Sequence, residues 1–279
     1  MTSRTRSLLR LPVVVVAAAL SLGWSADTTR WVAWTSVGFF PPDLARHVRL
    51  HERRFEAGIT RGLAAPPAWR AASPGKLEAA LEAQVLHCAA ALRQPVPLAD
   101  LVEELGVLAV RVLDANDPLA VAHEDNREPT YAGSYQRFVD EARPRIRLVY
   151  YGQDPALIYG GQVGGAIRAT LDRSRLLYPY LGAEFYRTGS LRDWRELDDR
   201  SVAFGVAGVS LSRALTDFAN LASYVWNAGG GMVPTPRPTP TGHHGPTVTL
   251  TLEGGFPERD RPKQGAPVMP PTSLVLPPP

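Results

Sequence analysis

Histidines, carboxylates and one thiol are the side chains of this chain that can carry chemistry, and their spacing limits what that chemistry is. His47 and His51 stand four apart in HVRLHE, the spacing by which two imidazoles on one helical face chelate a metal, and Glu52 follows. The order is not His-Glu-x-x-His, and His51 shares an apolar face with Leu44, Val48, Phe55 and Ile59, so a core histidine is the competing reading. His87 lies among apolar helix residues, where bonding to a backbone carbonyl is expected. His123 reads as a loop residue, and His243-His244 as a pair that adsorbs metal adventitiously. Asp114 follows Arg111 by three residues in RVLDAN. Either the two charges pair on one helix face, or Arg111 points to solvent and Asp114 closes a turn with Asn116. Cys88 is the single cysteine and falls on the stripe Leu77, Leu81, Val85, Cys88, Leu92, which predicts a buried inert thiol rather than a nucleophile. GGQVGG at 160–165 lacks the Lys and Ser/Thr of a phosphate loop, and Ser210 sits in an apolar helix, where its hydroxyl is expected to bond back to the preceding turn.

These groups have to be positioned by helices, because helical periodicity runs from Trp24 to Gly229 with no alternation long enough for a useful strand. Pro41 and Pro42 open a helix that Gly62, Pro66 and Pro67 close. Ser73-Pro74 precedes the helix of Cys88, and Pro97 starts one that is apolar nearly all round from Leu105 to Leu113, as a central buried helix is. A helix through Phe138, another over Ala166–Leu177 and a long apolar one from Ser201 to Ala228 follow. In the last, Arg213 and Asp217 are spaced four apart, which suits a packed helix better than a membrane span. The fold class is therefore all-α, with one domain over residues 24–229.

Residues 1–23 carry Arg4, Arg6 and Arg10, then an apolar run from Leu11 to Leu22, with Ser21 and Gly23 at the small-residue positions of a cleavage site. This is the pattern of a secretory signal peptide cut before Trp24, with a retained anchor as the alternative. The mature chain then has 27 basic and 27 acidic residues, and no electrostatic footprint for nucleic acid. With a single cysteine, an exported chain has no intramolecular disulfide. Residues 230–279 hold 13 of the 26 prolines and cannot bury enough apolar surface to offset ordering, so a Pro/Gly-rich disordered tail is expected there, with TVTLTL at 247–252 as a lone strand candidate.

Within this frame, LGVLAVRVLDANDPLA at 105–120 resembles the G-x-x-A-H-Y-x-x-D-x-x-x-P-L-H motif of zinc-dependent phospholipase C and the single-strand nucleases that share its fold. Gly106, Ala109, Asp114, Pro118 and Leu119 fall in register, while Val110 and Ala120 stand where histidines belong. GSYQRFV at 133–139 is similar to G-x-H-x-R-F-E through Gly133, Arg137 and Phe138, with Tyr135 for the His and Val139 for the acid. The family's amino-terminal Trp corresponds to Trp24, and Thr29 stands in for the His after it. The resemblance implies a multi-helix fold that in relatives holds three zincs. Val, Ala and Thr supply no competent nitrogen, and a protonated phenol is a poor ligand.

The leading expectation is thus a secreted or periplasmic, non-catalytic relative without a cofactor, serving as a binding or structural module. Its vestigial pocket comprises Trp24, Arg111, Asp114, Tyr135 and Arg137; Tyr150, Tyr151, Tyr159 and Arg143 join the lining and favour a phosphate-bearing or anionic ligand. The alternative is a phosphodiesterase or phospholipase with a reduced zinc site drawn from Trp24, His47, His51, His87, Asp114 and Asp140. A third reading makes the helical domain an anchor for a Pro-rich tail that recognises a protein partner.

Overall fold

The computed structural model describes residues 23–65 and 74–234. The expected leader up to residue 22 and the Pro-rich segment from 235 onward, TVTLTL included, lie outside the described residues, as does the whole of a second unit, Arg237–Pro279. Among the described residues there are ten α-helices and no strand, the all-α class expected. They are α1 (Ala26–Val37), α2 (Pro42–Leu50), α3 (Glu52–Ala64), α4 (Pro74–Ala91), α5 (Leu98–Ala115), α6 (Pro118–Val121), α7 (Glu128–Ala142), α8 (Pro155–Ile158), α9 (Val163–Phe185) and α10 (Val202–Ala228).

Local chemistry sets the starts. Ser25, Asp117, Asp154 and Ser201 accept from the backbone N–H of Thr28, Leu119, Leu157 and Phe204, capping α1, α6, α8 and α10. Proline occupies the first helical position of α2, α6 and α8, where its missing N–H leaves no bond unmade. The stripe from Leu44 to Ile59 was expected on one helix; the chain instead breaks at His51 (φ −113°, ψ 35°) into α2 and α3. Gly62, expected as a stop, lies inside α3 for a packing reason. A Cβ on Gly58 would stand 1.9 Å from Glu103 O, one on Gly62 2.8 Å from Val110 Cγ2, and one on Gly106 2.3 Å from Phe55 O. Three glycines thus let the backbones of α3 and α5 touch, the close approach that a small residue every fourth position permits.

α5 is the central helix, buried on nearly every side from Leu101 to Ala115, as its composition predicted. Two apolar clusters surround it. One gathers α2 to α5 and the C-terminal half of α10 around Phe55, Leu105 and Phe218; the other gathers α7, the end of α9 and the N-terminal half of α10 around Tyr131, Phe138 and Leu211. α10 contributes to both.

The same helix carries a polar ladder. Ser212 Oγ, Thr216 Oγ1 and Asn220 Oδ1, one turn apart, accept from the backbone N–H of Val149, Tyr151 and Asp154, and Asn220 Nδ2 donates to Gly152 O. An extended segment without a strand partner is thereby hydrogen-bonded by side chains, which is how a buried backbone avoids unpaired polar groups. Ser210 departs from expectation, because its buried Oγ has no partner. Arg213 and Asp217 do not pair with each other either. Asp217 takes Arg173 (3.1 Å), Thr170 (2.9 Å) and Asn116 (3.2 Å), and Arg213 lies over the Tyr151 ring at 4.0 Å. Beyond α10, Tyr159 Oη donates to Val233 O and Gln153 Nε2 to Pro234 O, so contacts of the helical domain continue past the boundary expected at 229.

Candidate functional site

The start of α1 meets the end of α5 and the middle of α7, and this junction gathers part of the expected pocket. Trp24 is buried; its Nε1 donates to Leu113 O (3.2 Å) and its ring tilts against Tyr135 with centroids 5.9 Å apart. Gly23 takes a positive φ of 121°, and a Cβ there would meet Asp114 Oδ1 at 2.8 Å, so its main chain lies directly on that carboxylate. Gln136 Nε2 donates to Gly23 O. Two residues on, Ser25 Oγ donates to Asp140 Oδ1, which also accepts from Thr28 Oγ1 at 2.8 Å. Asp140 therefore sits at the positive end of α1, where a carboxylate is favoured.

Trp24, Asp114 and Tyr135 meet at this junction. Arg111 Nη1 reaches across to α4 and donates to Ala80 O (2.5 Å). Burial lowers its guanidinium pKa, opposed by Glu104 first, then Cys88, and only last by Asp114. Arg137 is exposed on α7. The tyrosines expected to line the pocket are dispersed as well. Tyr150 stacks on Phe39 at 4.5 Å, Tyr151 carries Arg213, and Tyr159 bonds to the chain beyond α10. Arg143 lines a separate hollow of about 640 Å³ with Asp27, Arg30, Trp31, Pro144 and Ile146.

At the positions aligned with metal ligands, the side chains are packed. Val110, Ala120, Val139, Tyr135 and Thr29 are each at most 3% exposed. Val110 touches Gly62 across the α3–α5 crossing. The Tyr135 hydroxyl is buried with no hydrogen-bond partner, and burial together with the Asp117 charge pushes its phenol well above the ordinary range. Asp117 is a buried carboxylate that the sequence argument missed, although the Asp-Pro before α6 is a helix-start signal that points to it. The Ser25 and Thr28 hydroxyls on Asp140 were missed too, since nothing local joins residues more than a hundred apart.

The six residues of the alternative zinc set divide between several places. Trp24, Asp114 and Asp140 belong to the α1 junction. His47 lies beside Trp226 with ring centroids 6.1 Å apart, His51 marks the break after α2, and His87 lines a hollow on α4 with Gln94, Asp100 and Glu104. Among the described residues no three His, Cys, Asp or Glu side chains are grouped to hold one metal ion. His123, read as a loop residue, has its Nδ1 3.2 Å from Glu128 Oε1, and the other oxygen of that buried carboxylate accepts from Tyr178 Oη at 2.7 Å. The chain matches no family model and no curated protein.

Proposed function

We propose that this chain is an exported, non-catalytic helical module of the phospholipase C and nuclease type, which binds or scaffolds rather than hydrolyses. One observation carries the reading. The positions aligned with the zinc ligands hold Val110, Ala120, Val139 and Tyr135, and all four are absorbed into the core. Zinc catalysis needs nitrogen and oxygen donors converging at about 2 Å with one position open to water, and these side chains supply apolar packing instead. An anionic ligand is the class this reading favours, with Arg143 beside Trp31 in their hollow as the group to take it, since Arg30 there is paired with Asp27 and Glu56.

Elemental mass spectrometry of the purified mature chain tests the proposal. Zinc well below one per chain, a melting temperature indifferent to chelators and no turnover of an aryl phosphodiester are the expected results. A stoichiometric zinc that survives dialysis, with phosphodiester hydrolysis lost on chelation, overturns it.

A further inference from the structure

The segment that α10 supports uses only one of its two edges. Ser212 and Thr216 stand one helical turn apart, about 6 Å, and two residues of extended chain rise about 6.6 Å. The two hydroxyls therefore meet the N–H groups of Val149 (3.1 Å) and Tyr151 (3.0 Å) in register. Burial alternates with the same period: Ile146 is buried, Leu148 and Tyr150 pack partly on the apolar clusters, and Arg147, Val149 and Tyr151 are exposed. In an extended chain the main-chain groups of the residues in between point to the opposite edge. Those are the N–H and C=O of Leu148 and Tyr150, and among the described residues no hydrogen bond uses them. The chain turns away at Gly152, whose φ is 103°, so the open edge is one short strand, 147–151.

An open edge of this kind is a template for another strand, and charge selects which one. Arg145 is taken by Asp199 at 2.6 Å, whereas Arg143 and Arg147 carry no ion pair among the described residues, and Arg213 lies over the Tyr151 ring. Asp27, the carboxylate in the hollow beside Arg143, is held by Arg30. A second copy of this chain would bring its own Arg147 and Arg213 to the same edge, and like charges facing each other across strands oppose pairing. We propose that residues 147–151 receive an extended, acidic segment of a partner protein by strand addition. Its main chain bonds to Leu148 and Tyr150, one carboxylate meets Arg147 and another Arg143, and an apolar side chain enters the hollow against Trp31 and Ile146. This rests on the reading of the chain as a binding module and supplies the class of its partner, the anion being a side chain of the added strand.

The probe is a blocked octapeptide alternating Val with Glu and Thr, added to the full chain while amide hydrogen exchange is followed residue by residue by NMR. In the free chain the Val149 and Tyr151 amides should already be protected and those of Leu148 and Tyr150 open; saturating peptide should slow exchange at Leu148 and Tyr150 by about tenfold or more. In fluorescence anisotropy with labelled peptide, Arg147→Glu, a change at an exposed position, should weaken binding by about tenfold or more. A peptide with Lys in place of Glu, or with every amide nitrogen methylated, should not bind. Equal affinity for either control peptide overturns the proposal, as does unchanged exchange at Leu148 and Tyr150. Protection of these two amides in the free chain also overturns it: dependence on concentration assigns the edge to a second copy, and independence assigns it to another part of the same chain. Zinc analysis keeps the two ideas apart. A zinc-free chain that ignores the peptide loses the docking edge alone, whereas zinc-dependent hydrolysis by a chain that takes the peptide sinks the non-catalytic reading and leaves the edge.

Discussion

Tyr135 carries a hydroxyl into a site that gives it no partner, among apolar neighbours and beside the charge of Asp117. Leaving such a group unbonded costs free energy, so Tyr135→Phe should leave stability unchanged or raise it by up to about 1–3 kcal/mol in urea melts. A loss beyond about 1 kcal/mol would mean that the hydroxyl is bonded. Cys88 shows the opposite case, a polar atom made harmless. Burial, with Glu104 nearby, raises its thiol to about 12. At pH 8 the thiolate is then a fraction of order 10⁻⁴, so a disulfide reagent should leave native protein unmodified and titrate one thiol per chain only after unfolding. Rapid labelling of the native state would contradict the burial. The Cys88 stripe was legible because helical spacing alone fixes which residues share a face. The destination of Arg111 was not legible, since spacing does not say which way a long side chain swings, and Ala80 O reaches it only through the packing of α4.

Between elements, the α3–α5 crossing turns on three missing methyl groups. Gly106→Ala should destabilise by about 3 kcal/mol or more, because the added Cβ meets a backbone oxygen that cannot move without separating the helices. Gly208→Ala in α10 is the control. Nothing lies within 4 Å of a Cβ there, and the substitution should stabilise by about 0.5–1 kcal/mol through helix propensity. Equal effects of the two changes in thermal melts would remove the crossing as the cause. In the sequence Gly62 looks like a helix stop and Gly106 like a motif residue. Only contact between two chain segments reveals that they serve one interface. The starts of α2, α4, α5 and α10 were readable from Pro41 and Pro42, Ser73-Pro74, Pro97 and Ser201, whereas the break at His51 was not, because the apolar stripe continues through it.

Over the molecule as a whole, α10 joins the two apolar clusters, its N-terminal half in one and its C-terminal half in the other. Neither cluster can lose its packing without exposing part of a helix that the other needs. Unfolding should therefore follow a single transition, with the near-ultraviolet signal of the Trp24–Tyr135 cluster and the far-ultraviolet helical signal coinciding in denaturant. Two separated transitions would show that the clusters are independent. The all-α class came from periodicity alone. The partition into two clusters did not, because a helix apolar all round, as α5 is, gives no sign of which neighbour covers which side.

If the chain is exported unfolded, as proposed above, Arg213 and Asp217 acquire a second meaning. α10 is long and apolar enough to be held in a bilayer, and both charges lie near its midpoint. At the centre of a membrane each opposes insertion by about 2.5–3.5 kcal/mol, which tips the helix away from lateral release into lipid and keeps the polypeptide in the aqueous path. Once across, Asp217 finds Arg173, Thr170 and Asn116, and Arg213 finds Tyr151. On that route the two side chains that would keep α10 out of the bilayer are also the ones that fasten it to α9, α5 and the extended segment it supports.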